Sequence, residues 1–219
     1  MLFRSAREQP VVPVSTLPAK LTLERIFDSP DLAGEQPRGL KISPDGKLLT
    51  LLRNRKNDKE RFDLWAIDTT SGKEWMLVDS LKTGSGAELS EAEKMQRERA
   101  RIGGTRGIVS YDWAADAKHI IVPIDGDIYL ATVGGDTVRL TNTPDGELNA
   151  TVSPKGRWLS FVRGGNLFVT DITTRQEKQI TTGASDTISW GVAEFAAQEE
   201  MGRETGHWWS PDEIGRAHV

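Results

Sequence analysis

The sequence predicts an all-β protein assembled from a repeated four-stranded unit. Three observations carry that reading. Seven tryptophans and 21 glycines among 219 residues suit short strands joined by many tight turns. A strand–turn–strand pattern recurs three times. A Ser-Pro-Asp-Gly turn, or a relative of it, stands at the same place in each recurrence.

The first unit contains Asp63-Leu64-Trp65-Ala66-Ile67-Asp68, the turn Thr70-Ser71-Gly72-Lys73, then Trp75-Met76-Leu77-Val78. The second contains Asp127-Ile128-Tyr129-Leu130-Ala131-Thr132, the turn Val133-Gly134-Gly135-Asp136, then Val138-Arg139-Leu140-Thr141. The third contains Asn166-Leu167-Phe168-Val169-Thr170-Asp171, the turn Thr173-Thr174-Arg175-Gln176, then Lys178-Gln179-Ile180-Thr181. Each reads as a β-hairpin. Each follows a further apolar run, at 48–52, 120–124 and 158–162. Before those runs stand Ser43-Pro44-Asp45-Gly46, the degenerate Ala114-Ala115-Asp116-Ala117, and Ser153-Pro154-Lys155-Gly156. Proline presets φ at the second turn position and glycine supplies the positive φ that ends the turn. A fourth copy opens at Trp209-Ser210-Pro211-Asp212.

Asp127 and Asn166 lie 39 residues apart, and Asp63 and Asp127 lie 64 apart. The excess of 25 matches residues 81–105, which carry no strand pattern. Four strands in roughly 40–50 residues is the period of a β-propeller blade. A plain β-sandwich would not explain one turn signature at one place in every unit. The expected fold is therefore a partial β-propeller of about three four-stranded blades. A ring typically closes with 4–8 blades, so these blades are expected to leave open edges.

The composition excludes several classes. With 28 basic and 32 acidic residues the net charge is −4, whereas nucleic-acid binders usually show a basic stripe or excess. No apolar run approaches a membrane span. The absence of cysteine removes disulfide scaffolds, cysteine zinc sites and thiol nucleophiles. No Gly-x-Ser-x-Gly, Walker loop, Gly-x-Gly-x-x-Gly or His-Glu-x-x-His occurs. Of the three histidines, His119 falls in an expected strand, His218 near the end, and His207 beside a tryptophan pair, where packing is the commoner role. No catalytic residue, metal ligand or cofactor is assigned.

Both termini look foreign. Leu2-Phe3-Arg4-Ser5 and Ile214-Gly215-Arg216-Ala217-His218-Val219 are translations of common sequencing-adapter ends. Residues 1–5 and 213–219 are accordingly read as adapter scars. The natural body is then 6–212, a piece of a longer chain.

Two segments depart from the repeat. In the insertion, 81–105, Ser90-Glu91-Ala92-Glu93 fits a capping box. The stretch 91–101 is rich in helix formers and ends before Gly103-Gly104. Charges on nearly every side place that helix in solvent or over a cavity. The second segment, 186–208, holds a stretch from Glu194 to Arg203 able to form a short helix with Phe195 and Met201 on its apolar side. Glu199 and Glu200 would leave such a helix about 100° apart. Alone, adjacent glutamates usually mark a solvated face.

Residues Ala193-Glu194-Phe195, Gln198-Glu199-Glu200-Met201 and, seven intervening residues after the glutamate pair, Trp208-Trp209-Ser210-Pro211 resemble the N-terminal propeller of the dipeptidyl peptidase IV family, most closely its bacterial branch. Leu21-Thr22-Leu23-Glu24-Arg25-Ile26-Phe27, followed by Gly39-Leu40-Lys41-Ile42 and its Ser-Pro-Asp-Gly turn, is similar too. The resemblance spans 20–212. It implies an eight-bladed propeller joined to a C-terminal α/β-hydrolase domain, absent here, that carries the catalytic Ser, Asp and His. It implies a serine exopeptidase that removes dipeptides with Pro or Ala second from free N-termini. Glu199 and Glu200 match the glutamates that bind the substrate's α-ammonium group. An arginine near the substrate carbonyl maps to Arg106 first and Arg101 second, amid Arg97 and Arg99. The resemblance further implies peptide partners, a homodimer at full length, and a periplasmic or cell-envelope location.

The chemistry of such a pair is direct. An ammonium presents three N–H donors and one positive charge, and two carboxylates accept from it while staying net negative. At ~3 Å and an effective dielectric of ~20 one contact carries ~5 kcal/mol of Coulomb energy before desolvation, which removes much of it. Two other readings compete: a non-enzymatic TolB-like propeller module, which does not need the pair, and another prolyl oligopeptidase-clan peptidase, whose substrates present no free amine there.

Overall fold

The computed structural model describes residues 20–28, 32 and 37–213, with the backbone of 215–217. Residues 1–5 lie outside the described residues, as do 214, 218 and 219. The chain divides into two units, 1–36 and 37–219. The first contains the short helix α1 (Leu23–Phe27), capped by Thr22, whose hydroxyl accepts from the Arg25 amide at 3.2 Å.

The second unit is a row of antiparallel sheets. Strands β1 (Arg38–Ile42), β2 (Leu48–Arg55), β3 (Asp58–Asp68) and β4 (Glu74–Val78) form the first in sequential order. Helices α2 (Ser80–Thr83) and α3 (Glu91–Arg99) follow, and β5 (Arg106–Gly107) returns to pair in parallel with β3. The second sheet is β6 (Asp112–Trp113), β7 (His119–Ile124), β8 (Asp127–Thr132) and β9 (Thr137–Arg139). The third is β10 (Leu148–Val152), β11 (Trp158–Arg163), β12 (Asn166–Asp171) and β13 (Glu177–Gln179). Helix α4 (Phe195–Met201) precedes the hairpin of β14 (His207–Trp209) and β15 (Gly215–Ala217), which opens a fourth repeat. The architecture is all-β, a partial β-propeller with three complete blades.

Strand alternation explains the middle blade. Ile120, Val122 and Ile124 of β7, with Tyr129 and Ala131 of β8, pack on Leu52, Phe62, Leu64 and Val78 of the first blade. Ile121, Ile128 and Leu130 point the other way, onto Leu159 and Phe161 of the third. Successive side chains alternate faces, and both faces are buried. Hence β7 and β8 read as unbroken apolar runs. On β1 only one face is covered, and Leu40 and Ile42 are exposed.

The repeated turns share one mechanism. The Leu48 amide donates to Ser43 Oγ at 2.9 Å and the Trp158 amide to Ser153 Oγ at 3.0 Å. Gly46 and Gly156 end their turns at φ +75° and +78°. In the degenerate copy Ala117 takes φ +57°, a left-handed conformation that costs an L-residue roughly 1–2 kcal/mol.

The insertion helix departs from its expected form in two details. Ser90 Oγ accepts from the Glu93 amide at 3.2 Å, as a capping box requires. The Glu93 carboxylate instead takes the Arg97 guanidinium at 2.7 Å. The helix also ends at Arg99, not 101. Arg101 adopts φ +56°, its amide bonds Glu98 O, and the Ile102 amide bonds Arg97 O at 2.9 Å. Those bonds form a Schellman stop. Arg97 is buried, with Nη1 on Thr105 O at 2.9 Å.

Candidate functional site

The segment that carries Glu199 and Glu200 leaves the third blade after β13 and returns as β14. Two isolated bridges, Ser185 to Ile188 and Val192 to Thr205, supply its strand-like contacts. Helix α4 sits in the loop that the second bridge closes. The Glu194 carboxylate caps it, accepting from the Ala196 and Ala197 amides at 2.6 and 2.8 Å. An acidic cap also suits the positive end of the helix dipole. Gly202 closes it at φ +59°, where glycine carries no Cβ penalty.

The buried side of α4 is not the expected one. Phe195 is 63% exposed and Met201 74%. The helix turns Ala197 and Gln198 inward instead. A buried glutamine is tolerable because its amide is satisfied: Nε2 donates to Ala193 O at 2.6 Å, and Oε1 accepts from Arg99 Nη1 at 3.0 Å. Arg99 also lies over the Phe195 ring, 5.3 Å from its centroid.

Helix α3 therefore braces α4. One turn before Arg99, Gln96 Nε2 donates to Glu204 Oε2 at 2.7 Å and to Asn149 Oδ1 at 2.8 Å. Asn149 Nδ2 donates to Glu204 O at 2.9 Å, which ties β10 to the same point. Burial raises the Glu204 carboxyl above its ordinary pKa, and the Gln96 hydrogen bond works against that rise. A cavity of about 290 Å³ lies under α3, lined by Glu93, Gln96 and Arg97 together with residues of β6 and β10.

Glu199 and Glu200 are both exposed. Among the described residues neither carboxylate has a hydrogen-bond donor or cation as partner. Arg106, on β5, pairs with Asp58 Oδ1 at 2.8 Å. Arg101 stands exposed in the left-handed turn that ends α3. Of the arginines in and beside the insertion, Arg99 is in contact with the Glu-Glu helix. The spacing of Gln96 and Arg99, i and i+3 on one helical face, was the available signal for that brace.

His207 secures the return to β14. It is buried, with Nδ1 3.0 Å from Gly191 O and Nε2 2.9 Å from Ser160 Oγ. Its surroundings match the packing role expected of it. Burial lowers its pKa from the ordinary 6.5. No group of His, Cys, Asp or Glu side chains among the described residues is arranged to hold a metal ion. No helix among them is long and apolar enough to cross a membrane.

Comparison with known proteins adds a family context. Residues 114–215 match the family described as the dipeptidyl peptidase IV (DPP IV) N-terminal region. Dipeptidyl peptidase 8 of Homo sapiens is 30% identical over 140 residues, covering 56% of this chain and 16% of that protein. The probable dipeptidyl-aminopeptidase B of Uncinocarpus reesii is 27% identical over 133 residues, covering 54% and 15%. The chain thus spans about one sixth of the length of the curated relatives it matches. The crystal structure of Porphyromonas gingivalis dipeptidyl peptidase 4 superposes with a TM-score of 0.56 at 23% identity, over 80% of this chain and 24% of that one. That likeness shows the fold. The matched residues include α4 and β14, and over 114–215 the chain carries a dipeptidyl peptidase IV-like N-terminal segment.

Proposed function

We propose that this chain is the propeller part of a bacterial serine exopeptidase, recognising free N-termini and gating access for peptides that lose X-Pro or X-Ala dipeptides. The observation that supports this most is the state of Glu199 and Glu200. Two exposed carboxylates project from a helix capped at both ends and braced by α3, and neither has a protein partner among the described residues. Each glutamate has three rotatable bonds, so two that leave the helix about 100° apart can still close on one ammonium group. An acylated N-terminus brings no charge and too few donors. The pair would therefore count residues from a free end and orient the scissile bond, using binding energy remote from the reacting atoms.

Arg106 and Arg101 are the proposed partners of the substrate carbonyl. Arg106 meets Asp58 through Nη2, and a guanidinium has five donors. The nucleophile, its histidine and its acid would come from an α/β-hydrolase domain elsewhere in a longer chain. That protein would act as a homodimer in the periplasm or cell envelope, with no metal or cofactor. The present residues would bind and position substrate without cleaving it.

The test is an assay of the full-length gene product on Gly-Pro-p-nitroanilide and its N-acetyl form. The proposal expects cleavage of the free amine alone, with Glu199→Ala and Glu200→Ala each lowering kcat/KM by about 10- to 100-fold, the range of a hydrogen bond to a charged group. Equal cleavage of both substrates contradicts it.

A further inference from the structure

The geometry points to Phe195 as the residue that selects the first side chain of the peptide, in favour of bulky apolar residues over glycine. The inference rests on the amine-binding reading of Glu199 and Glu200 and names the substrate class for that site. Phe195 and Glu199 are four residues apart on α4, which sets them side by side on one face, about 5–6 Å between Cβ atoms. Met201 lies on another face of the helix.

Lone exposed apolar side chains are common on protein surfaces. Phe195 differs in being held. Arg99 lies over its ring at 5.3 Å, Arg99 Nη1 is fixed on Gln198 Oε1, and Gln198 Nε2 is fixed on Ala193 O. An exposed aromatic whose orientation is fixed by a buried amide presents a preformed apolar surface. The first side chain of a peptide leaves the same carbon that bears the α-ammonium group. With that ammonium on Glu199, the side chain emerges beside the Phe195 ring. A leucine or phenylalanine there covers ring surface and removes apolar area from water. Glycine covers none. The Arg99 charge over the same ring opposes a first residue that is itself cationic.

The test compares kcat/KM for Phe-Pro-p-nitroanilide and Gly-Pro-p-nitroanilide in the full-length protein. In Phe195→Ala and Phe195→Gln the Phe-Pro to Gly-Pro ratio is expected to fall by about tenfold, the scale on which an apolar pocket discriminates. Phe195→Tyr should keep the ratio. An unchanged ratio in both disruptive variants, or an equal loss in Phe195→Tyr, overturns the inference. Glu199→Gln and Glu200→Gln, read on free and acetylated Gly-Pro substrates, separate the two levels. If those variants keep full preference for the free amine, the clamp reading fails and the inference fails with it. If they lose the preference while the ratio ignores Phe195, the inference alone fails.

Discussion

The blades and the Glu-Glu segment are held together by different forces. The blades are antiparallel ladders stacked through apolar faces, and the middle blade alternates its side chains into two cores, one shared with each neighbour. Residues 185–206 have two isolated bridges, one seven-residue helix, and a set of side-chain amides and carboxylates that satisfy backbone groups. The blades gain stability from buried area, which tolerates small shifts. The segment gains position from a few directional bonds, which do not. The proposed amine site would need side-chain positions held closely, and the bracing of a short helix against an inserted one would supply them.

The largest effect that would sharpen this contrast lies in the blades. Phe161 is fully buried and stacks on Phe168 at 5.9 Å between centroids. Phe161→Ala should destabilise the protein by about 3–5 kcal/mol, read as a lower urea midpoint. A loss under about 1 kcal/mol would mean that the third blade is not a packed core.

His207 joins the two regions and should come next. Its pKa is lowered in the folded state, so the unfolded chain takes up its proton first as pH falls through 6.5. Its neutral form in the fold therefore costs nothing above pH 6.5, and stability declines below it toward the folded pKa. His207→Gln should remove that part of the slope in unfolding free energy against pH. A slope identical in the two proteins would break the account of this junction.

The smallest structural effect concerns a turn. Ala117 occupies the left-handed position that Gly46 and Gly156 fill in the other blades. Ala117→Gly should stabilise the protein by about 1 kcal/mol, seen as a raised Tm. A lowered Tm would show that the strain is relieved elsewhere.

Much of the fold was legible because it is local and periodic. The three hairpins, the Ser-Pro-Asp-Gly turns and both helices follow from spacing, cap residues and helix formers. The 25-residue insertion stood out by interrupting the period. Other features depend on what a helix packs against. Phe195 and Met201 read as an apolar side, yet Gln198 is turned inward because Arg99 and Ala193 satisfy its amide. Arg97 reads as a solvated charge, yet it is buried on Glu93 and Thr105 O. Glu204 drew no notice in the sequence, and only the placement of Gln96 and Asn149 gives it a role.

The central claim is that Glu199 and Glu200 recognise an α-ammonium group. Its most direct test is the ratio of kcat/KM for Gly-Pro-p-nitroanilide to that for the same substrate lacking only its amine, in the full-length protein and in its Glu199→Gln and Glu200→Gln variants. Both substitutions lie on the surface and should change stability by no more than about 0.5 kcal/mol. The account predicts a strong preference for the amine in the parent that drops by about 10- to 100-fold in each variant. A preference that survives both substitutions would contradict it.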